Sequence, residues 1–118
     1  MTEEKKPGRS ADISFRISLD EKNVPEKITW HATDSASQIP EETSAIMLSI
    51  WDAKQKESLR IDLWTKAMTQ EEMDKFYFQT FSMMAESYDR SNKNPQRATL
   101  IRDFAKKFGV SAEVIKEK

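Results

Sequence analysis

The 118-residue chain has no cysteine. That excludes a disulfide framework, a thiolate zinc site and a cysteine nucleophile. Such a composition suits a reducing compartment, so a cytoplasmic protein is expected. His31 is the single histidine, and a metal site of several imidazoles therefore cannot form within one chain. Gly8 and Gly109 are the only glycines; neither starts a phosphate-cradling loop, and no glycine-rich nucleotide fingerprint exists. An excess of one charge is also missing. Lys+Arg total 19 against Asp+Glu 20, a formal net charge of -1, so general nucleic-acid binding is disfavoured. No apolar run approaches the ~20 residues of a spanning helix, and no secretory apolar stretch follows the first basic residues, so direct membrane insertion is not expected.

What is present is patterned. Hydrophobic residues make up 37% and charged residues 33%, and the apolar ones recur in periodic blocks, which predicts a folded chain. Residues 1–10 are charged, carry Pro7 and Gly8, and lack apolar anchors, as a flexible N-terminal tail would. A single α+β domain is expected over 11–110, with a short terminal helix or frayed tail at 111–118. Ile13, Phe15, Ile17 and Leu19 alternate with polar residues and predict a half-buried strand. Asp20 to Pro25 carry turn chemistry, and Ile28, Trp30 and Ala32 repeat the alternation, so the two segments form a hairpin. Asp34 to Ser44 has Pro40 and no periodicity, and predicts a loop.

The next two strands also alternate. Ile46, Leu48 and Ile50 share one face, with Leu59, Ile61 and Leu63 on the partner strand. Both rows must face one core, which predicts a four-residue loop at 54–57. That register sets Ile50 opposite Ile61, Leu48 opposite Leu63, Trp51 opposite Arg60 and Met47 opposite Trp64. The period then becomes helical. Thr69 to Glu72 forms a capping box, followed by Met73, Phe76, Tyr77, Thr80, Phe81, Met84 and Tyr88 on a helix over about 70–90. Pro95 opens a second helix with Leu100, Ile101, Phe104, Ala105 and Phe108 inward and Gly109 as a left-handed stop. Ser111 would then cap the short terminal helix. The expected architecture is one four-stranded antiparallel sheet of two hairpins, with two C-terminal helices packed on one face.

Sites of chemistry are few. His31 lies on a polar strand face with no nucleophile or metal partner near it in sequence. Asp52 and Asp62 fall on opposite faces, and Asp62 pairs more simply with Arg60. Arg97, Arg102, Lys106 and Lys107 form a basic stretch of the second helix, read as a solvated face. The residues that stand out are Met47, Trp51, Arg60 and Trp64. They share the sheet face away from the aliphatic rows, and tryptophan with arginine is the composition of interface anchors.

Two segments carry a family resemblance. One is Asn23-Val24-Pro25-Glu26-Lys27-Ile28-Thr29-Trp30-His31-Ala32-Thr33-Asp34. The other runs from Ser49-Ile50-Trp51-Asp52-Ala53-Lys54 through Leu59-Arg60-Ile61-Asp62-Leu63-Trp64-Thr65-Lys66 to the capped helix at Thr69. Over residues 11–90 the chain resembles the gliding motility protein GldC family of Bacteroidota. The resemblance implies an accessory protein of surface gliding, with no catalytic residues and no cofactor to carry over. The expectation is thus a soluble, non-catalytic, cytoplasmic adaptor for motility or secretion machinery, peripheral to the inner membrane through a protein partner. The alternative is a small-ligand-binding domain whose pocket lies between sheet and first helix, lined by Trp30, Phe76 and Tyr77.

Overall fold

A computed structural model describes residues 8–116. Residues 1–7 of the expected tail, and the last two residues of the chain, lie outside the described residues. The chain divides into two compact units between Ala67 and Met68, and each is taken by itself.

The first unit is all strand: β1 (Ile13–Leu19), β2 (Pro25–Ala32), β3 (Glu41–Thr43), β4 (Ala45–Asp52) and β5 (Glu57–Trp64). Its strands form two antiparallel sheets, one of three strands in the order β1-β2-β3 and one of two, β4-β5. This corrects the expected single four-stranded sheet. The cause lies at Ser44, which breaks what would be one strand into β3 and β4. Before it, Glu41 to Thr43 pair with Ile28 to Trp30 of β2; after it, Ala45 onward pairs with β5. The Ser44 carbonyl turns to accept from the Thr65 backbone N–H (2.9 Å) and Thr65 Oγ1 (3.3 Å). Part of the expected 34–44 loop is therefore strand; its charged Glu41 and Glu42 hide the signal, since they carry no apolar alternation.

Both hairpins turn on an aspartate. Asp20 Oδ1 accepts from the backbone N–H groups of Lys22 (2.8 Å) and Val24 (3.0 Å). Asn23 takes the left-handed conformation (φ 64°), which asparagine tolerates better than most residues. A register shift follows at Ser18/Leu19. Asp20 also meets Lys66, just beyond β5, in an ion pair. This unit buries Ile28 fully and Thr65 almost so.

The second unit is a helical hairpin of α1 (Gln70–Asn92) and α2 (Pro95–Ser111). The expected capping box forms: Thr69 Oγ1 accepts from the Glu72 N–H (3.1 Å), and Glu72 Oε1 accepts from the Thr69 N–H (3.3 Å). Lys93 ends α1 in the left-handed conformation (φ 52°), Asn94 accepts from the Arg97 N–H (3.1 Å), and Pro95 follows at the first turn. A link this short makes the helices antiparallel neighbours, as the contacts confirm: Tyr88 with Arg97, Phe81 with Phe104 and Phe108, Phe78 with Gly109.

The inner face of α2 differs from expectation. Leu100 is 69% exposed and Phe104 54% exposed. The helices meet on small residues instead, with Ala85, Ala98, Ala105 and Gly109 buried, and Ile101 and Phe108 partly so. Small side chains let the backbones approach closely, so the stripe shifts toward alanine and away from the bulkier neighbours. The aromatic rings sit at its margin, where Phe81 meets Phe104 and Phe108 edge-on at 5.1 and 5.2 Å. Gly109 does not stop α2. No described glycine has positive φ, and the helix runs to Ser111. Gly109 is needed for space: a Cβ there would lie 2.6 Å from two ring carbons of Phe78 and 3.0 Å from Ile115 Cγ1. Ser111 ends α2 and caps no further helix; a turn follows, with Glu113 at φ 60°.

Candidate partner-binding face

The β4–β5 hairpin carries all four residues singled out as a docking group. Its turn occupies 53–56, one residue earlier than expected, because Asp52 starts it. Asp52 Oδ1 accepts from the N–H groups of Lys54 (2.9 Å) and Gln55 (3.1 Å), and its carbonyl accepts from the Lys56 N–H (2.9 Å). Lys56 closes the turn with φ 57°. Starting and ending one residue earlier moves the register by two. Ile50 therefore faces Leu59, Leu48 faces Ile61 and Ile46 faces Leu63; the expected pairs are off by two positions. An even shift preserves which residues share a face. The aliphatic row stays on one side, but it is not the buried core expected, since Ile50, Leu59 and Ile61 are about half exposed. Met47, Trp51, Arg60 and Trp64 stay together on the other.

Their order along that face changes. Trp51 is opposite Ser58, Arg60 opposite Ser49, Met47 opposite Asp62 and Trp64 opposite Ala45. Arg60 is no longer directly opposite Trp51 but its diagonal neighbour, whereas Trp64 sits at the far end of β4 from Trp51. At ~3.3 Å of rise per residue the two tryptophans are roughly 20 Å apart. They bracket a polar centre and do not form one aromatic cluster. Trp51 is 62% exposed and Trp64 53% exposed.

Arg60 organises the centre. Its Nη2 and Nε donate to the two carboxylate oxygens of Asp62 (2.9 and 3.3 Å), and its Nη1 donates to Ser49 Oγ (2.8 Å). The Asp62 pairing follows from residues two apart on one strand face. Ser49 is the member that sequence reasoning missed: a serine in a strand gives no signal until the register puts it opposite arginine. A guanidinium fixed by three bonds loses less freedom when a partner docks than an unrestrained one would.

Other expected groups fall as follows. Asp52 caps the turn and points away from the Asp62 face, as their positions along the strands require. His31 is partly buried on β2, and with Ser14, Arg16, Thr29, Trp30 and Gln38 it borders an open depression of about 390 Å³. Phe76 and Tyr77 lie on α1. Two of the α2 cations are engaged with α1: Arg97 donates to the Tyr88 hydroxyl (3.3 Å), and Arg102 lies 3.7 Å from Glu86. Lys106 and Lys107 are exposed. Among the described residues no group of three or more His, Cys, Asp or Glu could hold a metal ion, and no helix is long and apolar enough to cross a membrane.

The fold is thus α+β, antiparallel sheets followed by a C-terminal helix pair, with an aromatic and arginine face exposed on the second hairpin. A family model described as gliding motility-associated protein GldC-like matches residues 25–114, and the chain belongs to that family. The match takes in α2, beyond the 11–90 span of the resemblance, and starts at β2. Comparison with curated proteins and with solved structures gives no match.

Proposed function

We propose that the chain is a non-catalytic adaptor that docks a protein component of motility or secretion machinery through Met47, Trp51, Arg60 and Trp64. The supporting observation is the exposure of two tryptophans at either end of a strand face whose centre is a fixed arginine–aspartate fork. Tryptophan and arginine are enriched among the residues that dominate interface energetics. Family membership supplies the process, gliding motility. On this reading the protein acts in the cytoplasm and reaches the inner membrane only through its partner.

The test uses tagged wild type and a Trp51→Ala/Trp64→Ala variant in the native cell. The variant is expected to lose the specific co-purifying protein while keeping its circular dichroism spectrum. A deletion strain should spread poorly, and the variant should fail to restore spreading. Equal partner recovery by both folded proteins would remove this face from the account. Unchanged spreading on deletion would remove the link to gliding in this cell.

A further inference from the structure

A second surface, on the three-stranded sheet, has unmet bonding capacity. β1 pairs with β2 along one side and with no described strand along the other. Which backbone groups face that open side can be worked out. The Thr33 N–H donates to the Asp12 carbonyl (2.9 Å), so even-numbered residues of β1 bond to β2. Antiparallel ladders alternate, and the N–H and C=O groups of Ile13, Phe15 and Ile17 therefore point outward. Such an edge is a template for another strand unless blunted by a proline, a bulge or an inward charge. Ile13 to Ser18 contains none of these.

We propose that β1 pairs antiparallel with β1 of a second copy of this chain, with the two Ser14 residues opposite each other on the twofold axis. Only an even register matches outward groups with outward groups. Among these, the register centred on Arg16 opposes two like charges and puts Asp12 opposite Asp20. The register centred on Phe15 pairs Asp12 with Ser18 and Arg16 with Ser14, without compensation. The Ser14 register sets Asp12 of each copy opposite Arg16 of the other, in positions that are not hydrogen-bonded, where cross-strand side chains come closest. On the other face it sets Ile13, itself 69% exposed, opposite Phe15. Neither the Asp12 carboxylate nor the Arg16 guanidinium bonds to another described residue, so both are available. Twofold symmetry makes the interface self-complementary and forms each contact twice. The two three-stranded sheets then run on as one.

Sedimentation equilibrium of the full chain tests this. Wild type is expected to approach twice its 13.7 kDa mass as concentration rises. Asp12→Arg and Arg16→Asp should each raise the dimer dissociation constant about tenfold or more, because each places like charges opposite one another twice. The double swap should return it to within about threefold of wild type, since opposite charges again face each other. Both positions are on the solvent-facing side of the strand, and circular dichroism should show all variants folded. A wild type that stays monomeric at the highest concentration overturns the proposal. So do single variants that dimerise like wild type, or a double variant as weak as the singles.

Discussion

Lys66 donates to the Asp20 carboxylate, tying the β1–β2 turn to the residue two positions beyond β5. Asp20 is thereby held by Lys66 and by two backbone N–H groups of its own turn. Lys66, the Val24 N–H and the Lys22 N–H together hold its carboxyl at about 2, below the ordinary 3.8. Lys66 is raised above 10.5 in turn, first through the hydrogen bond with Asp20.

A pH dependence with a defined sign follows. The lowered Asp20 value means that its contribution is fully present above pH 3.8 and is lost as pH falls through about 2. The raised Lys66 value adds a contribution present below pH 10.5 and lost as pH rises through the elevated value. In an NMR carboxyl titration, Lys66→Met should move the Asp20 midpoint up from about 2 toward 3.8, with the turn amides limiting the recovery. An unmoved midpoint would show that the turn alone sets it.

Gly109→Ala should destabilise the helical hairpin. Alanine favours a helix over glycine by about 1 kcal/mol, which taken alone predicts a gain. The added Cβ meets the Phe78 ring at 2.6 Å, and overpacking of this kind costs about 1–3 kcal/mol. The expected net loss is about 1 kcal/mol in urea unfolding followed at 222 nm. A stabilised variant would mean that the ring moves aside freely.

The Asp52 turn gives a pair of opposite effects. Asp52→Ala removes the acceptor for two backbone N–H groups and should cost about 1 kcal/mol in hairpin stability. Lys56→Gly should gain a fraction of the ~1–2 kcal/mol that an L-residue spends in the left-handed conformation, because glycine gives back entropy. Amide exchange of β4 and β5 would report both.

Thr69→Ala removes the oxygen that receives the Glu72 N–H and should cost about 1 kcal/mol, with faster amide exchange confined to the first turn of α1. Thr69→Ser should restore most of it. Uniform loosening of both helices would contradict a local cap.

What could be read in advance was whatever depends on period. Alternation placed Ile46, Leu48 and Ile50 on one side of β4 and Met47 and Trp51 on the other, and a register error of two left that division intact. The box from Thr69 to Glu72 is spelled out in consecutive residues. Register was not legible, because the Asp52 carboxylate decides where the turn begins and Ala53 gives no sign of it. β3 was hidden by its glutamates, and the break at Ser44 splits the expected sheet. In α2, the bulk of Leu100 and Phe104 drew them inward on paper, whereas close helix packing favours Ala98 and Ala105.

The docking face can be probed most directly by placing a photoreactive side chain at single positions in the native cell. Crosslinks to one partner are expected from positions 51 and 64, and not from position 59 on the opposite face of the same hairpin or position 106 on α2. Adducts from 59 or 106 with none from 51 and 64 would contradict the assignment of the tryptophan face as the contact surface.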